Sequence, residues 1–443
     1  MTETSWGYRI LVQAAAALVP ALGLFDPKVR SGHRRRQGAA MRLRRWAVTG
    51  RDVARPLVWF HASSVGEGLQ AQSVMAEFRR LRPEAQWVYT HFSPSAERFA
   101  SHLPVDVADY LPYDSPGAAE TLLDSLAPDL LVFSKLDLWP ELATRAAGRG
   151  TAVVMIAATV SPGSGRLRWP ARPLLRPGYR AVSAAGAISP EDGERLALLG
   201  VPADRIQVLG DPRFDSVMQR VESVRPDDPL LRWGNGAATL VAGSTWPEDE
   251  AVILQAFAIL QRRRLRARLL LVPHEPTPAH LVAVERAAVR AGLMRPVRLS
   301  SANVGAPLVL VDRVGVLATL YGAGSMAYVG GGFGRAGLHS VLEPAAWGVP
   351  VVFGPRWQNS RDAGLLLQTG AAEALEELHR RKAAESLAQI WEGWLASDAR
   401  RSIQGRRARQ VVEGGLGGAR RSAELLQELI SSRLLQRSPT SAQ

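Results

Sequence analysis

A chain of 443 residues is too long for one ordinary hydrophobic core, so two α/β domains are the default expectation. Hydrophobic residues at 47% and charged residues at 21% exclude disorder outside the termini, and the absence of cysteine excludes disulfide, thiol and cysteine–zinc chemistry. A formal charge of +13, carried almost entirely by arginine, points to an anionic partner: lipid headgroups, nucleic acid or a phosphorylated substrate. Aromatic residues are only 7% and are not interleaved with a basic stripe, which argues against a nucleic-acid partner.

At the N-terminus Ile10 to Phe25 is mostly apolar and is followed by Lys28, Arg30, Arg34, Arg35, Arg36, Arg42, Arg44 and Arg45. The run is shorter than the roughly 20 residues of a spanning helix. Its charge lies after the apolar run, the reverse of a secretory signal, so cleavage and export are not expected. It reads as a membrane anchor or interfacial helix rather than a core helix, with the basic cluster on the cytoplasmic side against anionic lipid.

Leu57–Ala62 reads as a buried strand, Ser63–Gly68 as a small-residue loop and Leu69–Leu81 as a helix. Glu67 then lies at a strand's carboxyl end, either as a first-turn acid favoured by the helix dipole or as a general base in a cleft. Further strands are expected at Trp87–Thr90, Asp129–Phe133, Thr151–Ile156, Ala184–Ile188 and Ile206–Leu209, with helices at Pro94–Ala100 and Pro190–Leu199. Pro140 suits a first helical turn, so Asp137 is either that helix's N-cap or a carboxylate aimed into the same cleft. Arg166, in the Gly-, Pro- and Arg-rich loop Ser161–Arg172, either holds an anionic group or is simply solvated.

Around Val217–Asn235 the pattern loosens into a hinge. A second series begins with a strand at Thr239–Ala242, a turn Gly243-Ser244-Thr245 whose donors suit a phosphate, and a helix from Trp246 to about Gln261. Leu269–Val272 is a strand ending before His274, which either contacts a phosphate or is surface. The stretch Tyr328–Asn359 reads as strand, glycine loop (Gly330, Gly331, Gly332, Gly334), helix His339–Ala346, strand Val349–Phe353 and a second loop. Glycines there let backbone N–H groups approach a ligand beside a helix N-terminus, and Glu343 is placed to accept from ribose hydroxyls. Arg356 to Asn359 fall beyond a strand's carboxyl end, where open α/β sheets bind ligands. The segmentation is thus 1–45 (anchor or interfacial helix and basic segment), 46–217 (first domain), 218–236 (hinge), 237–437 (second domain) and a tail 438–443.

The motifs WFHASSVGEG (59–68), DLLVFSKLDLWPEL (129–142), GDPRFD (210–215), AGSTWPEDE (242–250), VPHE (272–275) and GGGFGRAGLHSVLEPAAWGVPVVFGP (330–355) occur in an order and spacing that resembles the Kdo (3-deoxy-D-manno-octulosonate) transferases, over about Tyr8 to Ala371. That resemblance implies a GT-B fold: two Rossmann-like doubly wound domains facing across a cleft, with an N-terminal membrane-associated helix. It implies a glycosyltransferase that moves Kdo from CMP-Kdo to a lipid A precursor at the cytoplasmic face of the bacterial inner membrane, inverting, with no metal and no cofactor. Glu67 would be the general base, with Asp137 a second catalytic carboxylate and Ser64, Gly66 and Arg166 on the acceptor side. Gly243, Ser244, Thr245, His274, Gly331, Gly332, Gly334, His339, Ser340, Glu343 and Asn359 would bind the donor, Glu343 at the cytidine ribose. The chain departs from the family pattern at Lys135-Leu136-Asp137 (usually Glu-Thr-Glu), at Ser340 (often Asn), at Pro273-His274-Glu275 (often Pro-Arg-His), and at Ala157–Arg166, which lacks an Asn-Ala-Arg start. Alternative readings are a GT-B transferase or epimerase that uses a UDP-sugar, and a non-catalytic basic membrane-binding protein of the same fold.

Overall fold

The computed structural model describes residues 4–334 and 337–437. The chain divides into two compact units, Met1–Ser216 with Leu416–Gln443, and Val217–Gly415. The first carries seven strands: β1 Leu57–His61, β2 Gln86–His91, β3 Val107–Tyr110, β4 Leu130–Ser134, β5 Ala152–Ala158, β6 Ala184–Ala187 and β7 Ile206–Val208. They pair in parallel in the order β3-β2-β1-β4-β5-β6-β7. A parallel sheet covered on both faces needs continuous apolar strands, and β1 (LVWFH) and β4 (LLVFS) are buried at every position. Val58 and Phe60 join an apolar cluster on one face, Leu57 and Trp59 one on the other.

The second unit also has seven parallel strands: β8 Ala238–Thr245, β9 Ala267–Pro273, β10 Val297–Arg298, β11 Leu308–Leu310, β12 Met326–Val329, β13 Val351–Phe353 and β14 Ala372–Ala374. Their order is β10-β11-β9-β8-β12-β13-β14. The strand order reverses between β1 and β4 in one sheet and between β8 and β12 in the other. Such reversal points open a crevice at the strands' carboxyl ends, which is where doubly wound sheets take their ligands.

The structure corrects several expectations. The helix after β1 spans Val65–Leu81, four residues longer than expected, because Ser64 caps it with backbone φ −128° and accepts from the Glu67 N–H. Residues 218–222, expected in a hinge, complete the helix Pro212–Glu222. Gly243–Thr245 is not a turn but the end of β8, where a register shift marks a bulge against β9. The last helix, Gly418–Arg437, expected in the second domain, belongs to the first unit. Ala419, Ala423, Leu426 and Ile430 share an apolar cluster with Val74 and Phe78, and the Asp215 carboxylate accepts from the Gly417 N–H (2.8 Å) and Ala419 N–H (3.0 Å) at that helix's start.

At the N-terminus the helix Trp6–Leu22 buries no residue, which sets aside the core-helix reading, and Trp6, Leu11, Leu18 and Leu22 are exposed. Among the described residues no helix is long and apolar enough to cross a membrane.

Candidate functional site

In the first unit the candidate carboxylates converge on the reversal point between β1 and β4. Glu67 lies in the first turn of Val65–Leu81, where unsatisfied N–H groups and the helix dipole favour an anion. Its backbone carbonyl accepts from the Ser134 hydroxyl at the end of β4 (3.2 Å). One carboxylate oxygen, Oε2, is buried without a hydrogen-bond partner, and so is the Tyr89 hydroxyl. Burial pushes the Tyr89 phenol up, and the Glu67 charge adds to it. Gly68 permits this packing: a Cβ there would lie 2.5 Å from the Phe99 ring and 2.8 Å from the Tyr89 hydroxyl. Gly66, by contrast, is exposed, with nothing within 4 Å of a Cβ.

Asp137 is not an N-cap. The helix Pro140–Gly148 has Trp139 at that position with no side-chain bond, and its first N–H groups, from Glu141 and Leu142, go to Asp114 at 2.8 and 2.9 Å. Freed from capping, Asp137 Oδ2 accepts from His61 Nε2 (2.9 Å), the Ser63 hydroxyl and Trp139 Nε1 (3.3 Å). The fully buried His61 ring reaches the Thr90 hydroxyl through Nδ1 (3.0 Å), which also accepts from Trp59 Nε1 (2.8 Å). Burial pushes the Asp137 carboxyl up, but the bonds and charge of His61 with the bonds of Ser63 and Trp139 outweigh it and hold it at about 2. Lys135, where the family pattern has an acid, takes a left-handed φ of +63° directly after β4. Arg166 is exposed; burial pushes the Tyr179 phenol up to about 12, with the Arg166 charge opposing that rise and Asp137 adding to it. His61, Ser63, Thr90 and Tyr89 escaped sequence reasoning; the one available signal was a histidine ending an otherwise apolar strand.

In the second unit the loops after β8, β12 and β13 close on one another at the other reversal point. Their glycines serve packing first. A Cβ on Gly330 would lie 2.2 Å from the Ser244 carbonyl oxygen, and one on Gly332 2.6 Å from the Gly354 backbone. Gly331 has φ +97°, and its N–H, expected to face a ligand, donates instead to Asp249 (2.9 Å). Asp249 also accepts from the Trp246 N–H (3.0 Å) and the Tyr328 hydroxyl (2.9 Å), so one buried carboxylate ties β12 to the helix Pro247–Arg262. Gly334 is half-buried. Ser244 has φ +53°, and the buried Thr245 hydroxyl donates to Glu250 at 3.1 Å.

The expected helix at His339 starts only at Leu342 and spans five residues, since Pro344 and the preceding glycine-rich chain supply no capping side chain. His339 and Ser340 are therefore loop residues, and Glu343 sits in the first turn. His339 stacks on the exposed His274 (4.3 Å between centroids) and its Nε2 accepts from Trp246 Nε1 at 2.9 Å. Burial, then the His274 charge, pushes the His339 imidazole down to about 4, so the ring is neutral with its proton on Nδ1. Glu343 is ion-paired with Arg220, a residue sequence reasoning missed. Burial pushes its carboxyl up against that pairing. Asn359 is exposed and packs against Gly337. Among the described residues no three His, Asp or Glu side chains are placed to hold a metal ion.

Comparison with known proteins places this architecture. A UDP-GlcNAc 2-epimerase from Neisseria meningitidis, solved with UDP-GlcNAc, is similar with a TM-score of 0.58 at 14% identity, over 86% of this chain and all of that one (100%). A glycosyltransferase from Rickettsia africae ESF-5 gives 0.54 at 11% identity, over 86% and 99% of the two chains. The fold is that of the GT-B class of α/β proteins. A family profile described as 3-deoxy-D-manno-octulosonic-acid transferase (kdotransferase) matches residues 35–216. The 3-deoxy-D-manno-octulosonic acid transferase of Bordetella pertussis is 29% identical over 422 residues, 89% of this chain and 94% of that protein. Its counterpart in Haemophilus influenzae is 25% identical over 376 residues, 83% and 86% of the two chains. The chain is thus similar to the Kdo transferases, at the distance of a divergent relative, over most of its length.

Proposed function

We propose that this protein transfers Kdo from CMP-Kdo to a lipid A precursor, with inversion at the anomeric carbon and without a metal-assisted step. The observation that carries the reading is Glu67 Oε2, buried and unpartnered at the carboxyl end of β1 beside the open Gly66. The acceptor hydroxyl oxygen bonds to the anomeric carbon, the bond from that carbon to the phosphate oxygen of CMP breaks, CMP leaves with the electron pair, and the hydroxyl proton passes to Glu67. Asp137, held near 2, is too weak a base for that step at neutral pH. It serves as a fixed anion that orients His61 and Ser63, and Ser64, Gly66 and Arg166 flank the acceptor. In the donor-binding unit the neutral His339 offers Nδ1–H to a phosphate oxygen, with Ser244, Ser340 and Asn359 as further donors. Arg220, paired with Glu343, brings a cation to the same loops. The exposed apolar residues of Trp6–Leu22, followed by the basic segment 28–45, support a resting place on the anionic cytoplasmic face of the inner membrane.

The test is incubation of the purified protein with CMP-Kdo generated in situ and a lipid A precursor, read by mass spectrometry of the lipid. Glu67→Gln should lower kcat by about 100-fold or more with little change in donor KM. Lipid-independent turnover of a UDP-sugar, or a Glu67→Gln variant of full activity, would remove the reading.

A further inference from the structure

Away from the candidate carboxylates the first unit holds a cavity of about 650 Å³ whose floor lies at the amino ends of β5 and β6. The strands are parallel and β5 is seven residues long, so that floor is about 20 Å from the carboxyl ends where Asp137 and Glu67 lie. Six arginines and one acid, Glu141, line the cavity. Glu141 is spoken for by Arg9 (2.9 Å) and Arg145 (2.6 Å), and Arg149 pairs with Asp124 (2.9 Å). Arg180, Arg205 and Arg433 have no carboxylate partner among the described residues.

Two of those three are aimed by neutral anchors. Arg205 Nη1 donates to the Val182 carbonyl (3.0 Å), Arg433 Nη2 donates to the Arg149 carbonyl (3.3 Å), and Arg433 Nε is buried without a partner. The Ser183 hydroxyl accepts from the Val153 N–H (3.2 Å), which leaves its own hydrogen to donate. The helix dipole accounts for Arg180, which ends its helix, but not for Arg205, which lies in a 3-10 turn before β7. The lining thus presents several donors and little acceptor capacity, next to the apolar Ala152, Ala181 and Leu429. We propose that this cavity is a second ligand site, which takes a phosphate monoester or diester with a small organic body. Its volume lies within the range of small-molecule sites and far exceeds what a bare ion fills, and guanidinium groups held by carbonyls match phosphate oxygens.

The phosphate can come from a soluble ester or from a lipid headgroup, since the exposed apolar helix Trp6–Leu22 starts beside Arg9 at the cavity's edge. Calorimetric titration of the full-length protein with glycerol 3-phosphate, with CMP present in excess, should show one site. Arg205→Gln and Arg433→Gln should each weaken it about tenfold. Arg180→Gln, an exposed position, provides a variant whose folding is not at stake. Sedimentation with phosphatidylglycerol vesicles distinguishes the sources. A parallel loss of vesicle binding in the variants assigns the site to a headgroup; unchanged vesicle binding with lost glycerol 3-phosphate binding assigns it to a soluble ester. Absence of glycerol 3-phosphate binding together with equal vesicle binding by native and variant proteins would overturn the site, as would glycerol 3-phosphate affinity equal to the native protein's in all three variants.

Discussion

Glu67 and Asp137 are both carboxylates at one reversal point, and their neighbours give them different chemistry. Asp137 accepts from three side chains on a single oxygen, which stabilises its charge, whereas Glu67 Oε2 is buried with no donor. A third titratable group nearby reports on the same interior. His91 is buried with Nδ1 unpartnered, its ring 4.1 Å from Tyr110, and burial, followed by the His61 charge, pushes it down to about 4. Because the folded pKa lies below the ordinary 6.5, the unfolded chain binds more protons between those values. Stability contributed by neutral His91 is therefore complete above about pH 6.5, declines as pH falls to about 4, and changes no further below. His91→Gln should flatten that decline by on the order of 1–3 kcal/mol, measured as urea midpoints of the two proteins at pH 7 and pH 4.5. Equal slopes would refute it.

At the scale of elements, the glycines of the two sites do different jobs. Gly332 lies where the loops after β12 and β13 touch, and a Cβ would meet the Gly354 backbone at 2.6 Å, with no flexible side chain to yield. Gly332→Ala should destabilise the second unit by about 1–3 kcal/mol and weaken nucleotide binding, seen by denaturant melts and by titration with CMP. Gly66 lies in the first turn of Val65–Leu81 with open space around it. Gly66→Ala should leave the fold intact or stabilise it by up to about 1 kcal/mol. A fall in acceptor turnover at unchanged stability would then place the acceptor over that first turn, and full activity would place it elsewhere.

At the scale of the whole molecule, the chain leaves its first unit at residue 216 and returns to it at 416. The GDPRFD motif holds that return: Asp215 receives the N–H groups at the start of Gly418–Arg437, and a Cβ on Gly418 would lie 2.8 Å from the Asp211 backbone. Leu426 is fully buried in the cluster with Val74 and Phe78. Leu426→Ala should therefore cost about 2–5 kcal/mol. By hydrogen exchange, peptides of β1 and β4 should lose protection while those of β8 and β12 keep theirs. Loss confined to the second unit would contradict the assignment of the last helix.

Much of this protein was legible from residue order. Apolar runs such as LVWF and LLVF, bounded by small-residue loops, marked strands of parallel sheets, and the motifs marked the family, because both depend on neighbours along the chain. Errors of four and three residues at helix starts arose where a cap competed with a glycine-rich loop, at Ser64 and before Leu342. Tertiary structure alone decided the partners: His61 reaches Asp137 across 76 residues, Arg220 reaches Glu343 across 123, and the Gly331 N–H goes to Asp249 across 82. Spacing along a chain carries no record of such pairings. They are selected by which buried polar groups can satisfy one another once the sheets have formed, since leaving one unpaired inside costs more than any local preference supplies.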